Sequence, residues 1–365
     1  MVEWKKLGDV CNFNRGRTIT AKDAILGPVP VIAGGQTPSY YHNEANRTGE
    51  SITVAGSGAY AGFISYWNQP IFVSDAFTVD PIGNLLHKYV FQWLKKNQQR
   101  IFDTQKGAGV PHVHGKDIAN FIIPIPSLSE QNRIVGILDT FTSSIENLKQ
   151  QIAERRKQYE HYRDRLLDLE GKEGVEMKTL GEIGEFIRGN GIQKSDFVED
   201  GFSCIHYGQI HAKYGFSAEE TISKIDEALY KRCKKAKKGD VILATTSEDA
   251  EGVAKPFVWL GEDDAAVSGD AFIYHHNQVG KFIGHQFLTH RFMHFKVKYA
   301  TGAKVVRISG ENMAKYNIAL PSIEEQSRIV SILDTFEASI SNLEDQLSQR
   351  EKQYEYYRNK LLTFE

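Results

Sequence analysis

The sequence has few of the features that mark secreted or membrane proteins. It contains only three cysteines and no CxxC pair, which favours a reducing cytoplasm over a disulfide framework. No run approaches the roughly 18 apolar residues that a membrane span needs. Met1 is not followed by a basic segment and a hydrophobic stretch, so we expect no signal peptide. We therefore expect a cytoplasmic protein with no membrane partner.

Enzymatic signatures are also missing. The glycine-rich stretch 109–117 has Asp117 where a phosphate loop needs Ser or Thr. His290 and His294 lie four residues apart on a predicted helix, but without an HExxH motif or a nearby cysteine pair a surface or DNA-facing helix is favoured over a metal site. There is no Asn/Asp-Pro-Pro-Tyr motif and no dinucleotide-binding loop. We therefore predict a non-catalytic chain with no catalytic residue, no metal site and no bound cofactor.

What the sequence does contain is an internal repeat. Residues 126–170 and 321–365 align at an offset of 195 without a gap, and 27 of the 45 positions are identical. Residues before these segments repeat first at an offset of 173 and later at 195, for example 75–77 and 270–272 (Asp-Ala-Phe). The second copy therefore carries about 22 extra residues between Gln209 and Asp270. Two units of like fold and unlike surface are indicated.

The two aligned segments have apolar residues at an unbroken 4-3 spacing, which is typical of a coiled coil. A polar residue interrupts each seam at the same place, a usual device for fixing register, and the seam tyrosines are interpreted as core. The predicted seam consists of Ile134, Leu138, Phe141, Ile145, Leu148, Ile152, Arg155, Tyr159, Tyr162 and Leu166, and of Ile329, Leu333, Phe336, Ile340, Leu343, Leu347, Arg350, Tyr354, Tyr357 and Leu361. Ser129, before Glu130, is predicted to lie in the N-cap region of the first helix.

The remaining segments read as two α/β modules, 1–125 and 175–320, followed by the long helices 126–170 and 321–365. Short β-rich runs are punctuated by Gly, Pro and Asn, and one further helix is predicted in each module, at 85–100 and 279–295. The first heptad seam spans roughly 52 Å at 1.5 Å per residue. Because the 171–174 link is too short to return the chain, the helices should pair antiparallel in a pseudo-twofold dumbbell, with Glu365 near Met1.

The net charge of −2 conceals an uneven distribution. Lys and Arg number 12 against 9 acidic residues in 1–125 and 19 against 19 in 175–320. The helical segments 126–174 and 321–365 hold 8 against 9 and 5 against 9. The helical segments are thus more acidic than the modules. This distribution is expected of a DNA-binding protein in which the modules contact DNA and the helices do not.

Several loops combine glycines with polar or basic side chains, a combination that suits contacts to phosphates and base edges. Ordinary β-turns are the alternative for each of them. The basic run 231–238 (KRCKKAKK) is open to two interpretations, phosphate contact or a solvated helix face. The candidate DNA-binding residues are Arg15, Arg17, Gln36, Thr37, Ser57, Tyr60, Lys106, His112, His114, Arg188, Lys194, Gln209, Thr246, Ser247, Lys304 and Arg307.

The two variable α/β modules, each followed by a helix that opens Pro-Ser-x-x-Glu-Gln-x-Arg-Ile-Val, resemble the specificity subunit of type I restriction–modification systems. The resemblance covers essentially the whole chain and implies that 1–125 and 175–320 are target recognition domains. It implies a double-stranded DNA target that is bipartite and asymmetric, with one half-site per domain. It also implies two methyltransferase subunits as partners and, through them, two restriction subunits; S-adenosylmethionine, ATP and magnesium would be used by those partners.

A coiled-coil adaptor that binds only proteins is the alternative. It would explain the long helices but not two divergent copies of a module rich in glycine and basic loops. The longer second module departs from a simple duplication and leaves the correspondence of its loops open.

Overall fold

The computed structural model describes residues 2–302 and 305–364. The chain forms two compact units, one of Met1–Gln150 with Glu344–Glu365 and the other of Gln151–Leu343. Each unit contains one predicted α/β module and a part of both long helices. Among the described residues, no helix is long and apolar enough to cross a membrane.

The first module begins with a short strand and helix and ends in the first long helix. Its strands are β1 (Glu3–Lys6), β2 (Cys11–Arg15), β3 (Val29–Ile32), β4 (Tyr40–His42), β5 (Glu50–Ala55), β6 (Ile64–Asn68), β7 (Phe72–Val73), β8 (Ala76–Pro81) and β9 (Ile122–Ile125). Its helices are α1 (Leu7–Val10), α2 (His87–Lys96), α3 (Gln98–Phe102), α4 (Gly115–Ile118) and the 40-residue α5 (Leu128–Leu167).

Three sheets make up this module. The largest has the order β2-β8-β5-β6, a second has the order β4-β3-β7, and β1 pairs with β9 in a two-stranded ribbon. Strand β5 carries the β-branched run Ile52, Thr53 and Val54, which is buried on both faces. Helix α2 packs on this sheet through Tyr89, Val90 and other residues of the core. The core thus lies between the four-stranded sheet and α2.

The second module follows the same order of elements with additions. Its strands are β10 (Glu176–Thr179), β11 (Gly184–Arg188), β12 (Phe197–Val198), β13 (Phe202–Ile205), β14 (Ser217–Ala218), β15 (Ser223–Ile225), β16 (Lys235–Ala236), β17 (Val241–Ala244), β18 (Thr246–Ser247), β19 (Lys255–Trp259), β20 (Ala265–Val267), β21 (Ala271–His276), β22 (Val306–Arg307) and β23 (Asn317–Leu320). Its helices are α6 (Leu180–Ile183), α7 (Tyr207–Ala212), α8 (Glu227–Arg232), α9 (Gly280–Gln286), α10 (His290–Tyr299), α11 (Gly310–Met313) and the 39-residue α12 (Ile323–Leu361), and a 3-10 turn spans Lys194–Asp196.

The additional strands of the second module extend sheets that the first module already has. The order β11-β21-β17-β19 matches β2-β8-β5-β6 and gains β14 at its edge. The order β15-β13-β20 matches β4-β3-β7 and gains β12 and β16 at its two edges. The added strands therefore widen both sheets and leave the shared strand order intact, and two of them, β14 and β16, lie within the inserted region. The prediction of two α/β modules of like fold is confirmed.

The prediction of one further helix in each module is wrong in number, because each predicted range covers two helices. Asn97 separates α2 from α3, and its side-chain amide donates to Trp93 O at 2.9 Å, which ends the first helix. Thr289 begins α10 by accepting from the Phe292 amide at 3.1 Å. In both places a polar side chain bonds to the backbone, which interrupts the ladder of helical hydrogen bonds.

The two long helices pair antiparallel within each unit, as predicted. In the first unit Phe141 of α5 stacks on Tyr357 of α12, and Lys149 lies 3.2 Å from Glu351. In the second unit Tyr162 stacks on Phe336, and the Tyr159 hydroxyl donates to Glu337 at 3.0 Å. As the residue numbers of α5 rise, those of the contacting residues in α12 fall, which is the pattern of an antiparallel pair.

The residues of the predicted seam are buried to different extents, which a uniform heptad pattern does not suggest. Buried members include Ile134, Leu138, Ile145, Leu148, Ile152, Ile329 and Leu333, whereas Phe141, Arg155, Tyr159, Leu166, Phe336, Ile340, Leu343, Leu347, Arg350, Tyr354 and Leu361 are half-buried. Tyr162 and Tyr357 are exposed because only one side of each ring stacks on a phenylalanine of the other helix. The guanidinium of Arg350 lies over the Phe141 ring at 5.7 Å.

The shared sequence that opens each long helix fixes the helix to its module. Ser127 caps α5 by accepting from the Glu130 amide at 3.3 Å, so the cap lies two residues before the predicted Ser129. The buried Gln131 accepts from the Leu86 amide at 3.0 Å and donates to Pro126 O at 3.1 Å. Gln326 makes the equivalent pair of bonds in the second unit, at 3.1 and 2.9 Å.

The far ends of the helices also enter the module cores. Leu362 lies in the core of the first unit, and Leu167 and Leu169 lie in the core of the second. Met1 and Glu365, which were predicted to be neighbours, both lie outside the described residues.

Candidate nucleic-acid interface

Two loops of the first module meet beside β5. Ser57 forms an antiparallel bridge with His112, and Lys106 forms a second bridge with the same residue. The Val113 amide also donates to Gly56 O at 3.0 Å. We call the loops 56–60 and 106–114 the first junction; it brings together five predicted DNA-binding residues, Ser57, Tyr60, Lys106, His112 and His114.

A cavity of about 410 Å³ adjoins the first junction. Its lining includes Arg15 from the end of β2, together with Asp75, His112, His114 and Lys116. The imidazole rings of His112 and His114 lie parallel, with their centroids 6.4 Å apart. The cavity is therefore rimmed by exposed groups that donate hydrogen bonds, which suits phosphate or base-edge contacts.

Two carboxylates interact with polar side chains of this junction. Ser57 donates a short hydrogen bond to the Asp75 carboxylate. Lys106 Nζ lies 2.8 Å from Asp117, and that hydrogen bond holds the pKa of Asp117 below its usual value. Lys106 is thus paired with a carboxylate, although its side chain is exposed like those of His112 and His114.

The other predicted residues of the first module surround the junction to different degrees. Gln36 and Thr37 are exposed in the loop after β3, and a Cβ at Gly34 in that loop would lie 2.3 Å from Ser57 O, so the loop approaches the junction closely. Tyr60 is exposed on the 56–60 loop itself. The guanidinium of Arg17 lies over the Phe72 ring at 5.2 Å, beside the smaller sheet.

The second module builds an equivalent junction with other side chains. Thr246 and Ser247 in β18 pair antiparallel with Arg307 and Val306 in β22. Thr301 and Arg307 exchange backbone hydrogen bonds of 2.9 and 2.8 Å, as Lys106 and His112 do in the first module. Thr246, Thr301 and Arg307 thus occupy the places of Ser57, Lys106 and His112. We call this the second junction.

A glycine is required at the same point of both junctions. Gly107 has φ 110° and Gly302 has φ 115°, a region that favours glycine. A Cβ at these positions would lie 2.6 Å from Val110 O and 2.0 Å from Val305 O. The recurrence of Gly-Ala in the sequence therefore reflects one backbone conformation used twice.

Arg188 and Lys194 line a different cavity, of about 710 Å³, in the second module. Arg188 Nε donates to Gly269 O at 2.9 Å, and its Nη2 lies 3.8 Å from Asp270. His206 also lines this cavity, and burial is the main cause that lowers its pKa. The cavity lies between the end of β11 and the 3-10 turn, and Arg188 and Lys194 are both exposed at its edge.

A lysine that the sequence analysis did not single out holds the loop after β18. Lys296 in α10 is buried and donates to Glu251 O at 2.6 Å and to Val253 O at 2.8 Å. Burial lowers its pKa to about 8. These bonds join α10 to the 248–253 loop, which directly follows Thr246 and Ser247.

Two predicted residues of the second module are not shown at an exposed loop position: Gln209 is buried, and Lys304 is not among the described residues. Gln209 is only 6% exposed on α7 and donates to Ser223 at 2.7 Å, so it is not presented to solvent as Gln36 is. The difference arises because Gln209 lies in α7 in the second module, directly before the inserted residues, whereas Gln36 lies in a loop. Lys304 lies outside the described residues. DNA contact by any of the predicted residues stays a prediction.

The basic run 231–238 does not form one helix face. Only Lys231 and Arg232 belong to α8, and the chain then enters β16. Lys231 and Lys238 pair with Glu227 and Glu262. The interpretation as a continuous solvated helix face is therefore wrong, because Cys233 and Ala236 turn inward to the core.

Two aspartates outside the predicted site residues, Asp75 and Asp270, also lie at these cavities. Their recurrence within Asp-Ala-Phe was visible, but only the fold brings Asp75 to Ser57 and Asp270 to Arg188. The two histidines of α10 bind no shared partner: His290 Nδ1 lies 2.5 Å from Asp164, and His294 Nδ1 lies 2.7 Å from His290 O. Within 2–302 and 305–364, no cluster of three or more His, Cys, Asp or Glu residues suited to a metal ion occurs.

Comparison with known proteins identifies the family to which the chain belongs. The model of the type I restriction modification DNA specificity domain matches residues 1–155 and again residues 172–351. The chain belongs to this family. The two matches include both junctions, and the resemblance inferred from the repeated helix opening is confirmed.

Individual relatives and solved structures agree with this assignment. The chain is 29% identical to the EcoR124I/EcoR124II specificity subunit of Escherichia coli, over all of this chain and 94% of the relative. It is 25% identical to the MjaVIII specificity subunit of Methanocaldococcus jannaschii, over 86% of this chain and 78% of the relative. The crystal structure of a type I S subunit from M. genitalium shares the fold, with a TM-score of 0.63 at 16% identity over all of this chain and 97% of the other. The similarity in fold to that S subunit therefore extends over the whole of this chain.

Proposed function

We propose that this chain is the non-catalytic DNA-recognition subunit of a type I restriction–modification complex. In this proposal each α/β module reads one half-site of a bipartite, asymmetric target in double-stranded DNA. The chain also binds two methyltransferase subunits and, through them, two restriction subunits. S-adenosylmethionine, ATP and magnesium are used by those partners, and this chain supplies sequence recognition and assembly.

One observation carries the proposal: the two junctions have the same backbone and different side chains. The bridges at Ser57 and His112 recur at Thr246 and Arg307, which supports the same task in both modules. Histidine and arginine present different donors to a base edge, and only arginine can donate two parallel hydrogen bonds to guanine. Two modules that read different bases would therefore recognise two different half-sites.

The test is to map the methylated adenines in a host that carries this chain with its methyltransferase partner. The proposal predicts an interrupted motif whose two halves differ. A palindromic or uninterrupted motif would contradict it. Filter binding of duplex DNA, with and without the methyltransferase, also separates it from the adaptor alternative, because an adaptor that binds only proteins retains no DNA of any sequence.

A further inference from the structure

In the first unit an ammonium group lies at the C-terminal end of the long helix α12. Lys96 Nζ donates to Asn359 O at 3.2 Å, to Leu362 O at 2.9 Å and to Thr363 Oγ1 at 2.6 Å. The last carbonyls of a helix have no partner within the helix and lie at the negative end of its dipole. A cation therefore stabilises this end of α12.

The second unit has no lysine at the equivalent position. Lys88 of α2 and Lys281 of α9 form equivalent ion pairs with the long helices, at 2.6 and 2.9 Å. Eight residues beyond each of these lysines, Lys96 in the first unit corresponds to Thr289 in the second. Thr289 caps α10 by accepting from the Phe292 amide, a bond that a lysine side chain cannot make because it has no acceptor.

Thr289 lines a cavity of about 280 Å³ at the C-terminal end of α5. Asp164, Leu167 and Asp168 form part of the same wall. At the repeat offset of 195, they are the equivalents of the three residues that bind Lys96 in the first unit. The second unit thus has an open space where the first unit has its own ammonium group.

The end of α5 is also more acidic than the end of α12. Two aspartates stand where the first unit has a neutral asparagine and threonine. Asp164 already pairs with a guanidinium at 2.7 Å and an imidazole at 2.5 Å. Asp168 is exposed and forms no ion pair within 2–302 and 305–364, and Arg291, which also lines the cavity, lies 3.3 Å from Glu170. The carboxylate of Asp168 is therefore left for a cation from outside the chain.

A buried amide in the cavity wall adds a second requirement. Gln286 lines the cavity and is only 4% exposed. Its Nε2 is buried, and no described residue accepts a hydrogen bond from it. A buried donor without a partner costs free energy, so a ligand with an acceptor at this point would satisfy it. The two aspartates repel an anionic acceptor, which favours a neutral one such as a hydroxyl oxygen.

We propose that this cavity binds a small amino alcohol. The ammonium group of the ligand lies against Asp168 and the last carbonyls of α5, as Lys96 lies against the end of α12. The hydroxyl oxygen accepts from Gln286. The ligand thus completes the end of α5 in the second unit and stabilises the folded chain by mass action.

The experiment is a titration of the full chain with aminobutanol, butylamine and butanediol, followed by saturation-transfer difference NMR. Aminobutanol should bind most tightly. Butylamine lacks the acceptor for Gln286 and should bind about three- to tenfold more weakly. Butanediol has no charge and should show no transfer. Because butylamine reproduces a lysine side chain, equal affinity for butylamine and aminobutanol would mean that a lysine is sufficient, and the amino alcohol would be the wrong ligand.

Three variants test the two contacts separately. Asp168→Asn removes the free carboxylate from an exposed position and should weaken both amines by about tenfold. Gln286→Met should weaken aminobutanol to the level of butylamine and leave butylamine unchanged, because only the hydroxyl contact is lost. Asp263→Asn changes an exposed carboxylate elsewhere in the same unit and should alter neither affinity. Unchanged binding of both amines to Asp168→Asn, or no binding of aminobutanol to the wild type, would overturn the proposal.

Discussion

Arg307 and His112 occupy the same place in the two modules and differ in chemistry. Both close a bridge to a neighbouring loop, through Thr246 in one case and Ser57 in the other. Both side chains are exposed, so the backbone holds them while the side chain is left for a ligand. The difference between the half-sites should therefore be traceable to single residues.

Replacing Arg307 with alanine should relax recognition of one half-site and leave the other unchanged. Loss of a base-edge contact costs about 1–3 kcal/mol, which corresponds to roughly 5- to 150-fold in discrimination at that base pair. His112→Ala should do the same at the opposite half-site. The measurement is methylome sequencing of hosts that carry each variant. Uniform weakening over both half-sites in either variant would show a phosphate contact instead.

Lys296 acts on recognition indirectly, through the loop that it holds. Lys296→Met removes the donor of two hydrogen bonds and leaves the carbonyls of Glu251 and Val253 without that partner. We expect a loss of about 1–3 kcal/mol in the free energy of unfolding and weaker reading of the half-site that Arg307→Ala affects. Urea denaturation and methylome sequencing check the two effects. Lys298→Met is the matched control on the same helix, where the side chain is exposed and the change should be small.

The pH dependence of stability provides an independent test of the burial of Lys296. Its pKa is about 8 in the folded chain, against 10.5 for an ordinary lysine. Between these values the unfolded chain binds more protons than the folded one, so the contribution of Lys296 to stability rises with pH. The difference in unfolding free energy between the wild type and Lys296→Met should therefore grow from pH 8 to pH 10. A flat difference would mean that the ammonium group is well solvated.

At the scale of elements, a buried glutamine fixes the start of each long helix. Gln131→Ala should lower the free energy of unfolding by about 1–3 kcal/mol, because it leaves the Leu86 amide and the Pro126 carbonyl without their partner. Gln326→Ala should have the same effect in the second unit. Urea denaturation measures both. Asn132→Ala, an exposed change on the same turn as Gln131, should stay within about 0.5 kcal/mol of the wild type, and an equal loss there would contradict the special role of the glutamine.

Elements with a local signal could be predicted, and those that depend on distant partners could not. The long helices could be predicted from an apolar spacing that occurs in both repeats, and β5 could be predicted from its β-branched run. The division of the predicted 85–100 helix at Asn97 depends on one side-chain bond. The strands added in the second module, β12, β14 and β16, are each only two residues long, and β18 pairs with a strand that comes far later in the chain.

The candidate site shows the same limit. The candidate loops were visible through their glycines and basic residues, and the fold brings several of them together at the junctions. Lys296 was missed because its partner Glu251 is 45 residues away and nothing in the local sequence indicates the contact. Gln209 resembled Gln36 by alignment, but the insertion that follows places it on α7, where it is buried. Repeats predict backbone positions better than they predict exposure.

At the scale of the whole molecule, α5 is one unbroken helix of 40 residues that joins the two modules in sequence, and α12 has 39. The seam residues of both helices keep the 4-3 spacing, so whole heptads can be removed without changing which residues face the partner helix. We expect helix length, and not helix surface, to set the gap between the half-sites.

Deleting residues 146–152 from α5 and the paired 347–353 from α12 would shorten each helix by about 10 Å. At 3.4 Å per base pair, the gap in the target should shorten by about three base pairs, or binding should be abolished if the altered rotation cannot be accommodated. Substituting an exposed residue next to the deleted heptad, such as Glu355→Gln in α12, should leave the gap unchanged. Methylome sequencing reads the gap directly. An unchanged gap after the paired deletion would mean that the helices do not measure the target, and the spacing would then have to come from the modules themselves.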